Sequence, residues 1–264
     1  MNLLLRVLTC LVLICGLFLH GVLQAETKPP TLLVAAASDL QFVFPELIGL
    51  YEAGQPGVKV GVTYGASGKF FEQLKNGAPF DLFLSADAFF PRKLIEMGKG
   101  DEGDFFMYAV GHLVVWVQKT SALDVRAQGM QVLLDPSVKK IAIANPDHAP
   151  YGRAAVAAMQ NVGVYDASKV RLVLGENVVQ AAQFVETGAA DVGIIGLSLA
   201  LAPKMLEKGR YWEIPQNLFP KLEQGGLVLR DAKNAAEARK FRAWLQTLAA
   251  KEILRKYGFV LPPS

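Results

Sequence analysis

The chain has 264 residues, 27 basic and 24 acidic, a formal net charge of +3, with 52% hydrophobic and 19% charged residues. That is ample apolar material for a core and too little charge for a disordered chain. The near-neutral balance, without a long basic run, argues against a nucleic-acid partner, and two cysteines exclude a disulfide-rich scaffold.

Residues 1–25 read as a secretory signal peptide. Arg6 precedes an almost entirely apolar run from Val7 to Leu23, and Gln24-Ala25 ends it before Glu26, Thr27 and Lys28. An uncleaved anchor helix is the alternative, because the run approaches spanning length. Acylation of Cys10 or Cys15 is disfavoured, since Thr9 and Ile14 precede them where such a site needs a small residue. Both cysteines lie in this segment, so the exported chain would carry no disulfide, zinc–thiolate site or cysteine nucleophile. No later run approaches spanning length, which predicts a folded part outside the bilayer.

Beyond residue 30, short runs rich in β-branched residues predict strands at 31–36, 58–64, 81–84, 112–117, 140–144, 170–174, 192–195 and 227–229. Helical spacing falls at 40–51, 70–75, 89–97, 153–160, 179–186, 199–207 and 235–257. This alternation predicts an α/β architecture of mostly parallel sheets flanked by helices. Pro45 predicts a kink or a delayed helix start. Similar density of elements on both sides of residue 120 predicts two lobes. The segment 214–226, with Pro215, Pro220 and Gly225-Gly226, predicts a return crossing between them.

Open α/β sheets bind ligands beyond the carboxyl ends of their strands. Four strand-to-helix corners stand out there: Ala36-Ala37-Ser38-Asp39, Gly65-Ala66-Ser67-Gly68, Asn145 to Gly152, and Gly175-Glu176-Asn177-Val178. Helix starts carry unpaired N–H groups and positive dipole ends, so four converging corners would hold an anion without a cationic side chain. Ser38, Ser67 and Asn177 can equally be N-caps and nothing more. The small neighbours Ala37, Ala66, Gly68 and Gly152 favour close backbone approach of a ligand. Asp39 suits either the helix dipole or the role of acceptor for a protonated oxyanion.

At this point the sequence resembles a known family, the periplasmic molybdate-binding proteins of ABC importers. The similar stretches are VAAASDL (34–40), YGASGKFFEQLKNGAPFDLFLSAD (64–87), NPDHAPYGRAA (145–155), GENVVQAAQFVETGAADVGII (175–195) and KEILRKYGF (251–259). The resemblance implies a two-lobed periplasmic-binding-protein fold of type II with a ligand cleft. The lobes would be 26–112 with 226–264, and 113–225, hinged by crossing strands near 110–118 and 225–230. It implies an oxyanion held by the hydroxyls of Ser38 and Ser67 and by backbone N–H groups at Ser38, Ser67, Tyr151 and Val178, with Asp39, Asn177 and Gly196 behind them. Some members use a tyrosine hydroxyl where this chain has Gly196, and the expectation is that the Tyr151 hydroxyl replaces it. The implied protein is monomeric and periplasmic, takes molybdate and tungstate, needs no cofactor, and serves a membrane permease.

Other classes fit less well. A serine hydrolase would need Ser38 or Ser67 as nucleophile with His112 or His148 as base, yet neither serine sits in G-x-S-x-G or S-x-x-K. A P-loop fails because Phe70 follows Gly68-Lys69. The two histidines beyond residue 25 lack metal-ligand spacing. A sulfate or phosphate binder on the same fold stays open; phosphate would need Asp39 to accept its proton.

Overall fold

The computed structural model describes residues 31–262. The expected signal peptide lies outside them. The described chain forms two five-stranded sheets. The first has the order β2-β1-β3-β10-β4 and the second β7-β6-β8-β5-β9. In the first, β1 (Leu32–Ala37), β2 (Val60–Gly65) and β3 (Leu82–Ser85) are parallel, while β10 (Leu222–Val228) runs antiparallel between β3 and β4 (Phe105–Gly111). In the second, β6 (Ile141–Ala144), β7 (Leu172–Gly175) and β8 (Val192–Gly196) are parallel. There β5 (Leu113–Gln118) runs antiparallel between β8 and β9 (Gly209–Glu213). Each sheet is thus the same plan: three parallel strands, then one reversed strand that enters from the other lobe, then a last strand beyond it.

The reversed strands make the two connections. β4 ends at Gly111 and β5 begins at Leu113, so the chain passes between sheets through His112 alone. It returns through residues 214–221, where the Ile214 N–H donates to the Leu113 carbonyl at 3.0 Å. Gly225-Gly226, expected in the return loop, instead lie inside β10. A Cβ on Gly225 would sit 2.9 Å from the Phe105 ring, and one on Gly226 would overlap the Phe106 ring and approach Leu84 to 3.0 Å. These glycines admit aromatic rings rather than a turn.

β1, β3 and β5 are almost wholly buried on both faces, which is why they read as unbroken apolar runs. The sequence reading misses β9, Gly-Arg-Tyr-Trp-Glu, because it mixes charge with aromatics, and passes over β4, Phe105–Gly111, although that run is apolar throughout. Pro45 falls in the first turn of the helix Phe44–Ala53, so the start is delayed and a 3-10 turn, Ser38–Leu40, fills the gap. The helix expected over 199–207 is split before Pro203, and that over 235–257 is split at Gln246-Thr247, where Thr247 caps the second half. No helix of the described residues is long and apolar enough to cross a membrane.

One face of the first sheet packs on Leu40, Phe44, Leu47, Tyr51 and Phe241; the other packs on Phe70, Phe90 and Leu94. Phe241 is fully buried and meets Tyr51 and Phe44 edge-on, with ring centroids 4.8 and 5.8 Å away. Phe241→Ala should therefore cost about 3–5 kcal/mol of stability, measured by urea denaturation. A loss under about 1 kcal/mol would show that this lobe does not rest on that cluster.

Candidate ligand-binding site

The four corners converge. Ser38 and Ser67 from the first lobe, and Tyr151 and Val178 from the second, line one small, half-open space with Ala37, Asp39, Gly65, Ala66, Ala86, Ala149, Pro150 and Asn177. No lysine, arginine or histidine lines it. A larger hollow of about 340 Å³ beside Leu33, Asp81 and Asn234 lies at the opposite end of β1 and β3, away from every one of these helix starts.

Ser67 opens the helix Ser67–Lys75 but does not cap it with its side chain. Its Oγ accepts the Ala86 N–H at 2.9 Å, which leaves the hydroxyl proton to be given elsewhere. Ser38 begins the 3-10 turn, is 4% exposed, and its turn likewise has no side-chain cap. The simple capping role therefore fails for both serines. It holds for Asn177, whose Oδ1 accepts from the N–H groups of Val179 and Gln180 at 3.0 and 3.1 Å. Asn177 thus consumes two first-turn donors and leaves that of Val178 at the cavity. In the third corner Pro150 has no N–H to give, and the Gly152 and Arg153 N–H groups turn back to the Ala149 carbonyl at 3.0 and 3.1 Å. Tyr151 is left as the outward donor.

The glycines at these corners answer to the protein itself. A Cβ on Gly152 would overlap the Ala144 carbonyl, and one on Gly68 would lie 2.7 Å from the His148 carbonyl oxygen. That carbonyl accepts the Gly68 N–H at 2.9 Å, a backbone bond between the lobes. Arg153 adds a second link, pairing with Asp87 at 2.6 Å over the Phe90 ring.

The Tyr151 hydroxyl corrects an expectation. It donates to Asp39 Oδ2 at 3.1 Å and lies 3.3 Å from Gln224 Nε2, which also donates to Asp39 Oδ2. Its one proton is spent on Asp39, so in this closed form the hydroxyl is not an open donor to a ligand. The spatial half of the expectation stands differently: the Tyr151 ring fills the place of a side chain at 196, where a Cβ would lie 3.0 Å from Cε1. Gly111 leaves room for the hydroxyl in the same way. Asp39 is 1% exposed, and burial pushes its carboxyl up to about 6 against the lowering effect of Gln224 and Tyr151. Burial and the Asp39 charge together hold the Tyr151 phenol well above its ordinary value. The Ser198 hydroxyl donates to the Asp39 carbonyl at 2.9 Å, another tie between lobes. Gln224 and Ser198 were not singled out by the sequence; both lie far from their partners along the chain.

Two α/β lobes joined by two short crossings, closed over a small cavity at the strand ends, define the architecture of a solute-binding protein. The family of bacterial extracellular solute-binding proteins matches residues 32–260, and the chain belongs to that family. The molybdate-binding protein ModA of Rhodobacter capsulatus is 39% identical over 86% of this chain and 88% of its own length. ModA of Azotobacter vinelandii is 35% identical over 91% of this chain and 94% of its own. The solved periplasmic molybdate-binding protein of Azotobacter vinelandii superposes with a TM-score of 0.81 at 33% identity, covering 88% of this chain and all of that one. The sulfate-binding protein SubI of Mycobacterium tuberculosis, at 18% identity and a TM-score of 0.74, shares the fold.

Removing the Tyr151 hydroxyl leaves a buried carboxylate short of a donor. Tyr151→Phe should lower the stability of the ligand-free protein by about 1–3 kcal/mol, seen as a lower melting temperature at pH 7.5. An unchanged melting temperature would mean that the hydroxyl does not hold Asp39.

Proposed function

We propose that the protein captures molybdate, and tungstate with it, outside the cytoplasm and delivers it unchanged to the membrane permease of an ABC importer. It does so as a monomer, without catalysis or a cofactor. The observation that carries this reading is the convergence of two serine hydroxyls and the first-turn N–H groups of Tyr151 and Val178 on one cavity without a cationic side chain. The ModA relatives give the ligand its name.

The donors at Ser38, Ser67, Tyr151 and Val178 address oxygen atoms of the anion; none is a metal ligand. Donors from both lobes surround the anion, so the ligand stabilises the closed form over any open one by its differential contacts. The two bodies are Leu32 to Gly111 with the segment from Leu222 onward, and Leu113 to Glu213. They turn about His112 and residues 214–221. An oxyanion leaving water must have most of its oxygens satisfied, and fixed neutral dipoles do this without attracting every anion equally.

Size then discriminates more than charge. In calorimetric titrations, molybdate and tungstate should bind tightly and sulfate at least about tenfold more weakly, or about 1.4 kcal/mol. Equal or tighter binding of sulfate or phosphate would overturn the assignment of the ligand.

Charge-assisted hydrogen bonds contribute about 1.5–3 kcal/mol each, so Ser67→Ala should weaken molybdate binding roughly ten- to a hundredfold with unchanged circular dichroism. Wild-type affinity in this variant would remove Ser67 from the site.

A further inference from the structure

We propose that Asp39 acts in the site as an uncharged carboxylic acid, so that the site takes up one proton with each dianion it captures. This rests on the oxyanion reading of the cavity.

The geometry leaves an ionised Asp39 poorly supported. It follows Ser38 directly, lines the cavity, and is buried. Both of its side-chain donors, the Tyr151 hydroxyl and the Gln224 amide, converge on Oδ2, and its own backbone N–H adds a weaker favourable contact. Oδ1 is buried with no partner among the described residues, and so is Oε1 of Gln224, whose amide nitrogen bonds the same carboxyl. A buried carboxylate oxygen without a donor is costly, and two unpartnered acceptors in one network are the signature of a missing proton. One proton on the carboxyl turns an acceptor into a donor and removes the charge.

The elements around Asp39 offer no counter-charge. The helix Pro150–Asn161 presents Tyr151, β10 presents Gln224, and Leu197–Ala200 presents Ser198. β2 ends in Tyr64-Gly65, and Val178–Glu186 begins with two valines while its distant Glu186 pairs with Lys204 and Lys208. From β4, Tyr108 is neutral, its phenol raised by burial and by the charges of Asp39 and Asp87. The cation Arg153 is paired with Asp87. A dianion held at Ser38 would therefore face a bare negative charge in a medium of low dielectric constant, where Coulomb repulsion is strong.

Protonation resolves this with no change to any bond of the ligand: a solvent proton joins the Asp39 carboxylate. Burial already brings the carboxyl up to about 6, and a neighbouring dianion moves it further in the same direction. The sign follows. A group whose pKa rises on binding takes up a proton. Affinity is greatest where Asp39 is protonated before the ligand arrives, falls as pH rises above about 6, and levels off above the pKa of the bound state.

The test is titration of the exported chain with sodium molybdate at pH 7 in two buffers of different ionisation enthalpy. Uptake approaching one proton is expected, with affinity falling by up to about tenfold per pH unit from pH 7 to 8. In Asp39→Asn the uptake should vanish and the affinity become independent of pH. Tyr151→Phe, which takes a donor from the carboxylate, should shift the pH window upward, and it serves if the asparagine variant does not fold. Molybdate binding by the wild type without proton exchange overturns the proposal. Uptake that persists in Asp39→Asn, or disappears in His148→Gln, also overturns it. If molybdate does not bind at all, the reading of the ligand fails instead.

Discussion

On the proposed reading, one electrostatic constraint organises the seam between the lobes: a doubly charged anion must leave water for a cavity lined by no cation. Helix starts meet it because their first N–H groups have no partner within the helix. The corners distribute those donors with little waste. Asn177 takes two and leaves one at Val178, Pro150 never had one, and Ala149 draws back those of Gly152 and Arg153 so that Tyr151 remains. Cations would bind anions of many shapes. Rigid neutral dipoles hold only one that fits their spacing, which makes the stiffness of the strand-to-helix corners part of the recognition.

The parallel strands and the four corners were legible because each is local: a buried β-branched run followed by small or capping residues. β9 was not, since Gly-Arg-Tyr-Trp-Glu mixes charge with aromatics, and β4 was passed over although Phe105–Gly111 is apolar throughout. Gly225-Gly226 misled because a glycine pair speaks of turns, whereas here it makes room for Phe105 and Phe106 from a strand more than a hundred residues earlier. The fate of the Tyr151 hydroxyl was hidden for the same reason. Its acceptor, Asp39, lies 112 residues away and in the other lobe. Spacing along a chain carries no trace of such a pairing.

Tyr151, Gly111 and Gly196 form one steric unit. The ring occupies the volume that a residue at 196 would otherwise fill, and the hydroxyl occupies the volume before 111. A tyrosine in the third corner and a glycine at the end of β8 are thus a single choice written at distant positions. In that place the Tyr151 phenol meets Asp39 and Gln224 at the seam between the lobes.

The bond from the Gly68 N–H to the His148 carbonyl joins the lobes through main-chain atoms on both sides. No side chain contributes to it, so the residues that select the ligand can drift while the lobes still meet in the same way. Its one vulnerable point is the absent Cβ of Gly68, 2.7 Å from the oxygen it would have to displace. A single methyl group there acts as a wedge between two otherwise intact lobes, and position 68 is the natural place from which to hold such a protein ajar.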